Sequence, residues 1–421
     1  MKKQLIFISI ATLMGISFTA CKGDDDSEIK YANFTVEQNK ENIESEGLEV
    51  VSKLEDMKGI SAIQVVMILD SLLNQPGSGP ALSPATRILA PIAGMNKSLM
   101  GLATLRSTNP DISSLGGLLE EMGGVYTYNS TVDTFAYVHN SNEITFYFPI
   151  GDSFTNNGRI TLNNYTSQLS TNSDFEGTLE QPKSLDINIW NGNSKLFSME
   201  MDASYNNDDI PSYEKTTITF LEGYSFSQEL TNNQNELQWK FAFALDGDKF
   251  FNGEFNTKGN YSYDNLSADR DGSIGDIAQI LSSANAFVQL GNIKMAGSLD
   301  FRKIAEEFNR RYSENEDGPE TEAEMEAICA ILNNYIKVVL VYANDNTAIA
   351  KSNITFYEKT DMSFDGNQYV YDTYYNPDMQ FIFADQSAID DSFFSDGFDE
   401  LKTALETFLS EMNVNYRGNV Q

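Results

Sequence analysis

The sequence predicts an α+β protein in which a curved antiparallel β-meander, half-closed like half of a barrel, packs against helices and follows a helical N-terminal region. Three observations predict this class. Apolar residues recur with helical spacing before residue 122, they alternate with polar residues from residue 123 onward, and pairs of turn residues separate the alternating segments. Alternation of this kind is typical of an antiparallel sheet that buries one face.

The N-terminal part is predicted to contain a signal peptide over residues 1–20, an acidic tether over 21–35 and a helical region over 36–122. A helix is predicted near 60–75 because five apolar residues fall on one face, with spacings of three and four residues. These residues are Val65, Ile68, Leu69, Leu72 and Leu73.

Residues 123–421 are predicted to form the antiparallel sheet with its packed helices. Two strands that alternate apolar and polar residues flank Asn191 and Gly192, which predicts a hairpin with a type I′ turn. Similar turn pairs predict three more hairpins, at Asn157 with Gly158, Asp246 with Gly247, and Asp365 with Gly366.

The most apolar strand face in this region is predicted to be buried, and it consists of Leu237, Trp239, Phe241, Phe243 and Leu245.

Helices are predicted near 274–286, 302–313, 321–336 and 396–412. In the third of these, Thr321 and Glu324 have the spacing of a capping box, and Cys329 lies on the apolar stripe. We therefore expect Cys329 to be a core residue.

The first residues have the order of a secretory signal. Lys2 and Lys3 form a positive segment, and the apolar stretch that follows is too short to span a membrane. The stretch ends at Phe18, Thr19, Ala20 and Cys21, which resemble the lipobox of bacterial lipoproteins, although Phe18 replaces the usual leucine. The resemblance implies that Cys21 is acylated and becomes the new N-terminus. An ordinary secretory signal with an incidental Cys21 is the alternative.

The residues after the cysteine are acidic. Lys22, Asp24, Asp25 and Asp26 resemble the surface-export tag of Bacteroidota lipoproteins. This resemblance implies a lipid-anchored outer-membrane protein exposed at the cell surface, and a periplasm-facing protein is the alternative. Several acyl chains anchor a protein stably, so the lipid anchor is the expected membrane partner.

The charge balance excludes one class of partner. The chain has 28 Lys and Arg against 61 Asp and Glu, a net charge of −33 at pH 7. This charge repels phosphate backbones, so nucleic acid is not expected as a partner. The expected partner is an unknown extracellular or envelope ligand.

The sequence contains few residues for chemistry that depends on histidine or cysteine. His139 is the sole histidine, and Cys329 is the sole cysteine besides Cys21. Proton shuttling by imidazole and soft-metal sites need more such groups, so we expect no enzyme activity and no soft-metal cofactor. We expect His139 to be a half-buried strand residue with a hydrogen-bond partner.

Calcium is the one cofactor that a motif favours. Asp269, Asp271, Gly272 and Ile274 match positions of an EF-hand-type loop, in which spaced carboxylates bind the ion and glycine allows a sharp turn. The final bidentate carboxylate is missing, and Asp276 is a candidate substitute. The alternative is an acidic turn before a helix.

We therefore predict a non-catalytic surface lipoprotein that binds a ligand or contributes to an envelope assembly. A periplasm-facing carrier of an apolar ligand and a hydrolase that uses two carboxylates are the alternatives.

Overall fold

A computed structural model gives the fold and describes residues 30–62, 64–65, 68–69, 115–140, 142–170, 180–268, 274–312, 321–364, 369–390, 393 and 397–407. The chain divides into two compact units. Unit 1 comprises residues up to 55, residues 231–241 and residues from 249 onward, and unit 2 comprises residues 56–230 and 242–248.

The described residues form helices and a large sheet. The helices are α1 (Val36–Asp56), α2 (Leu115–Met122), α3 (Tyr263–Ser267), α4 (Ile274–Ile280), α5 (Phe301–Tyr312) and α6 (Glu322–Tyr335), with a 3-10 helix at Met57–Gly59. The strands are β1 (Gly124–Asn129), β2 (Thr134–His139), β3 (Ile144–Phe148), β4 (Gly158–Leu169), β5 (Glu180–Asn191), β6 (Ser194–Tyr205), β7 (Pro211–Phe220), β8 (Tyr224–Asn232), β9 (Glu236–Leu245), β10 (Asp248–Gly259), β11 (Leu281–Leu290), β12 (Ile293–Leu299), β13 (Ile336–Tyr342), β14 (Ala348–Phe364), β15 (Tyr369–Ile382) and β16 (Ala388–Ile389). Residues 399–407 are also helical.

The strand order of the sheet follows the chain almost throughout. From β3 to β16 each strand neighbours the next one in sequence, and β1 lies between β3 and β2. The predicted β-meander is therefore confirmed in outline. It is wrong at one point, because β1 pairs with β3 in parallel, with Gly124 opposite Ile144. The sheet is mixed for this reason.

Two of the predicted turns can be compared with the backbone in detail. Asp246 and Gly247 join β9 to β10 with φ angles of 52° and 91°, which is the pattern of a type I′ turn. Asn191 is instead the last residue of β5 and pairs with Ser194. The loop is Gly192 and its successor, and Gly192 has a φ of 57°. Glycine at the first loop position is typical of type II′, so the predicted type I′ turn is wrong here.

The other two hairpins have longer connections. Gly158 begins β4 opposite Phe148, and residues 149–157 form the loop between the strands. The Asn157 side chain holds this loop, since its Oδ1 accepts the Ile150 N–H at 2.8 Å. Strands β14 and β15 pair antiparallel as predicted, and their turn at 365–368 lies outside the described residues.

One core cluster of unit 1 lies where the sheet packs against α5 and α6, and a second one includes Ile43 of α1 and Ile293 of β12. Helices α5 and α6 are inserted between β12 and β13, which pair with each other so that Leu299 is opposite Ile336. The capping box is confirmed: Thr321 Oγ1 accepts the Glu324 N–H, and the Glu324 carboxylate accepts the Thr321 N–H. The buried residues of the first cluster are Ala284, Leu299, Phe301, Ile304, Met325, Ile328, Cys329, Leu332 and Ile354.

The core of unit 2 follows the alternation of β3 to β7. Ile160, Ile189 and Phe197 share one face, because they are opposite each other in successive strands, and all three are buried. Residues 61, 62, 64, 65, 68 and 69 are helical, and the Ser61 N–H donates to Glu222 Oε1 at 2.8 Å. Val65 and Leu69 of the predicted stripe are buried, whereas residues 72 and 73 lie outside the described range.

One helix boundary is wrong. The helix predicted near 274–286 ends at Ile280, and residues 281–290 form β11 instead. Pairing with both β10 and β12 satisfies the backbone of these residues in the sheet.

Substitution of Met325 tests the position of the unit 1 core. Met325 has no exposed surface, whereas the adjacent Glu326 is exposed on the same helix. Met325→Ala is expected to lower the free energy of unfolding by about 2–5 kcal/mol, because it leaves a cavity, and Glu326→Ala by less than about 0.5 kcal/mol. Urea unfolding of both variants measures the difference. Equal losses would show that α6 does not bury this face.

Candidate functional site

The residues of the predicted lipid anchor and export tag lie outside the described part of the chain. These residues are Cys21, Lys22, Asp24, Asp25 and Asp26. Their roles stay predictions. Among the described residues, no helix is both long enough and apolar enough to cross a bilayer.

The calcium motif is described only at its end. Asp269 and Asp271 lie outside the described residues, and Asp276 is in the first turn of α4. Gln279 Nε2 donates to Asp276 Oδ1 at 3.3 Å, which is a contact within the helix. No group of three acidic, histidine or cysteine side chains with metal-site geometry occurs in the described ranges. Calcium binding by this motif stays a prediction.

His139 is more exposed than expected, although it has the predicted hydrogen-bond partner. It ends β2, which is the last strand in the sheet order, and its Nδ1 lies 2.9 Å from the Tyr137 hydroxyl. Tyr137 donates its one hydroxyl proton to the Gly123 carbonyl at 2.9 Å. The Nδ1 atom of His139 is therefore assigned as the donor in their shared bond.

Cys329 is a core residue, as predicted. Its side chain is 5% exposed, and the Sγ atom donates to the Thr355 carbonyl at 3.1 Å. Burial raises the pKa of the thiol to about 11, so the sulfur stays protonated at neutral pH. A buried neutral thiol is a poor nucleophile and a poor metal ligand.

Of the two tryptophans, Trp190 has a ring that contacts two cationic side chains. The Arg159 guanidinium lies 4.5 Å from the ring centroid, and the Lys195 ammonium lies 5.1 Å from it. These residues are opposite Trp190 on the strands at either side, β4 and β6. Cation–π contacts of this kind occupy the ring surface that a stacked ligand would need.

Trp239 belongs to a cluster that we call the aromatic face, which consists of Trp239, Phe241, Phe251 and Phe255. The ring of Trp239 lies 5.1 Å from Phe241 and 5.4 Å from Phe255, and the Phe241 and Phe251 centroids are 5.2 Å apart. These separations are typical of favourable aromatic pairs. Four rings on β9 and β10 therefore form one continuous apolar surface within unit 1.

Strand register places the aromatic face on the same side of the sheet as the unit 1 core. Phe255 is opposite Ala286, and Ala284, two residues away on β11, is buried in the cluster with α5 and α6. Directly opposite residues share a face, and so do residues two apart. The aromatic face is thus a continuation of the surface that these helices cover.

The floor of the aromatic face is a glycine. Gly253 lies between Phe251 and Phe255 on β10, and an added Cβ would be 2.6 Å from Phe241 Cε1 and 2.7 Å from the Phe287 carbonyl oxygen. The backbone oxygen cannot move without breaking the sheet pairing. Only glycine lets the Phe241 ring lie directly on the strand.

The expected burial of this strand face is wrong. Trp239 and Phe241 were expected in the core, and all four rings of the aromatic face are only half-buried. Val288 and Leu290, beside them on β11, are half-buried too. Where β10 and β11 are paired, the residues on this side carry no charge, and they are Phe251, Gly253, Phe255 and Thr257 on β10 and Ala284, Ala286, Val288 and Leu290 on β11. The charged residues Asp248 and Lys249 begin β10 before this pairing.

A half-buried apolar surface of this kind is able to bind an apolar group. Half-exposed rings lose unfavourable contact with water when such a group covers them, at roughly 25 cal/mol per Å² of apolar area. The sequence contained one usable signal for this site, which is the glycine between two phenylalanines on a strand.

The chain was compared with protein-family models, with curated proteins and with solved structures, and none of them matches it.

Proposed function

We propose that this chain is a lipid-anchored binding protein of the bacterial cell envelope, without enzyme activity, and that the aromatic face binds the apolar part of an uncharged ligand. The observation that supports the ligand class is the half-exposed cluster of Trp239, Phe241, Phe251 and Phe255 on the apolar side of the sheet. Of the functions considered from the sequence, binding of an apolar ligand accounts best for this surface.

The cellular location of the protein is proposed from its N-terminal residues. Acylation of Cys21 anchors the chain to the outer membrane, and the acidic residues Asp24, Asp25 and Asp26 direct it to the cell surface. The membrane is then a partner through the anchor alone. The net charge of −33 argues against nucleic acid as a partner. Weak calcium binding at Asp269, Asp271 and Asp276 is part of this proposal.

Lipidation is tested by metabolic labelling with an alkyne fatty acid. The wild type is expected to be labelled and to fractionate with membranes, whereas Cys21→Ala loses the label because residue 21 no longer carries the thiol that is acylated. Cys329→Ala is the matched control, since Cys329 is buried in the core. Equal labelling of wild type and Cys21→Ala would contradict the lipid anchor.

Surface exposure is tested by protease treatment of intact cells. The wild type is expected to be digested, because the acidic tag exports it. A variant with Asp24, Asp25 and Asp26 changed to Ala is expected to be protected until the cells are lysed. Protection of the wild type in intact cells would favour the periplasm-facing alternative.

Ligand binding at the aromatic face is tested by fluorescence quenching. The protein lacking residues 1–21 is titrated with a monoacylglycerol that carries bromine atoms on its acyl chain, below the concentration at which the lipid aggregates. Because the chain has two tryptophans, Trp190→Phe leaves Trp239 as the reporter, and Trp239→Phe leaves Trp190. Bromine quenches an indole on contact, so quenching is expected in the Trp190→Phe variant and not in the Trp239→Phe variant.

Loss of a ring from the site supplies the energetic control for this experiment. In the Trp190→Phe background, Phe255→Ala is expected to weaken lipid binding about tenfold or more, because the apolar area that the ligand covers is reduced. Phe146→Ala, in the buried core of unit 2, changes stability without changing the site. Equal quenching of both tryptophans, or no quenching of Trp239, would contradict the proposed site.

A further inference from the structure

The apolar side of unit 2 contains a carboxylate. Glu214 on β7 is opposite Ala203, and Thr216 is opposite Met201. Ala203 and Met201 are buried core residues, and opposite residues point to the same side of a sheet. The Glu214 side chain is therefore directed to the side of the sheet that carries the buried apolar core, where glutamate is seldom found without a partner.

The interactions of this carboxylate with other described residues are weak. Gln228 Nε2 donates to Glu214 Oε1 at 3.4 Å, a long hydrogen bond. No lysine, arginine or histidine in the described ranges forms an ion pair with Glu214. Burial raises the pKa of Glu214, as it does for any carboxylate that loses water without gaining a counter-charge.

Two hydroxyl groups adjoin the carboxylate. Thr216 is 4% exposed, and its Oγ1 has no hydrogen-bond partner among the residues that the structure describes. The Tyr205 hydroxyl donates to the Pro182 carbonyl at 2.9 Å and keeps its lone pairs for another donor. Burial and the nearby charge of Glu214 raise the pKa of Tyr205 to about 12, so its hydroxyl stays protonated.

These groups share an excess of hydrogen-bond acceptors and one uncompensated negative charge. A buried polar atom without a hydrogen-bond partner destabilises the fold, and a carboxylate without a counter-charge destabilises it more. A ligand that brings positive charge and several N–H donors removes both effects at once. A metal ion fits less well, because calcium takes six to eight oxygen ligands and a single carboxylate is present here.

We propose that Glu214, Thr216, Tyr205 and Gln228 form a binding site for a primary ammonium group. Its three N–H donors match the oxygen acceptors of the carboxylate and the two hydroxyl groups. Glu214 is half-exposed, which leaves a route for the ligand. The net charge of −33 raises the local concentration of cations around the protein. This site lies in unit 2 and does not depend on the function proposed for the aromatic face.

The test is calorimetric titration of the purified full chain with n-butylammonium chloride at pH 7 and constant chloride concentration. Binding is expected for the wild type, at least tenfold weaker binding for Glu214→Gln, and several-fold weaker binding for Thr216→Val, because each variant removes an acceptor. Tetramethylammonium, which has no N–H donor, is expected to bind at least tenfold more weakly than butylammonium. Glu200→Gln is the control, since Glu200 is exposed on the opposite side of the neighbouring β6 and leaves binding unchanged.

Thermal melting without ligand shows that the variants are folded. It also tests whether the Glu214 carboxylate lacks a counter-charge in the folded protein. A carboxylate whose pKa is raised by folding destabilises the protein increasingly as the pH rises through that pKa. Glu214→Gln is therefore expected to melt at a higher temperature than wild type at pH 8, with the difference shrinking toward pH 4.

The proposal is overturned by any of four results. In the titrations these are equal binding of butylammonium to Glu214→Gln and wild type, equal binding of the two cations, or no detectable binding. In the melting experiment it is a lower melting temperature for Glu214→Gln than for wild type at pH 8.

Discussion

Unit 1 depends on the antiparallel pairing of β12 with β13. Leu299 is opposite Ile336 at the end of this pairing, and the Asp300 N–H donates to the Tyr335 carbonyl at 3.0 Å just beyond it. The pairing therefore joins the start of α5 to the end of α6. Both ends of the helical insertion are fixed at adjacent strands, and α5 and α6 fold back over the face of the sheet beside them.

The position of this insertion, together with α1, whose Ile43 packs in one cluster with Ile293 of β12, determines which part of this side of the sheet is covered. Helices α5 and α6 pack on residues of β11, β12 and β14, such as Ala284, Leu299 and Ile354. The rings of β9 and β10 continue the same apolar side and are only half-buried. One apolar surface is thus divided into a part that helices cover and a part that is only half-buried, where we propose that a ligand binds. The same hydrophobic pattern in the sequence runs through both parts.

This division explains what the sequence could predict. The capping box at Thr321, the turn at Asp246 and Gly247, and the burial of Cys329 were predicted correctly, because each depends on neighbouring residues or on the periodicity of one element. The exposure of Trp239 could not be predicted, since it depends on where distant helices dock. The boundary at residue 281 was missed for a similar reason, because pairing with two strands outweighs a local helical pattern.

The two candidate sites differ in whether a local feature of the sequence indicates them. In the aromatic face, Gly253 is a local signal that a ring packs against the strand. Glu214 has no such signal, because its side of the sheet is known only from its register with Ala203 on β6. A shift of one residue would turn the same carboxylate to the opposite side of the sheet, where it would be unremarkable. Register is a property of paired strands, and a single strand does not contain it.

The reactivity of the buried Cys329 thiol is a probe of local opening in the folded protein. Besides Cys21, it is the sole cysteine, and its Sγ is held against the Thr355 carbonyl by the packing of α6 on β14. A thiol reagent reaches the sulfur only when α6 separates from that strand. The rate of its reaction in native protein therefore gives the opening free energy of one helix, separately from global unfolding and without an engineered label.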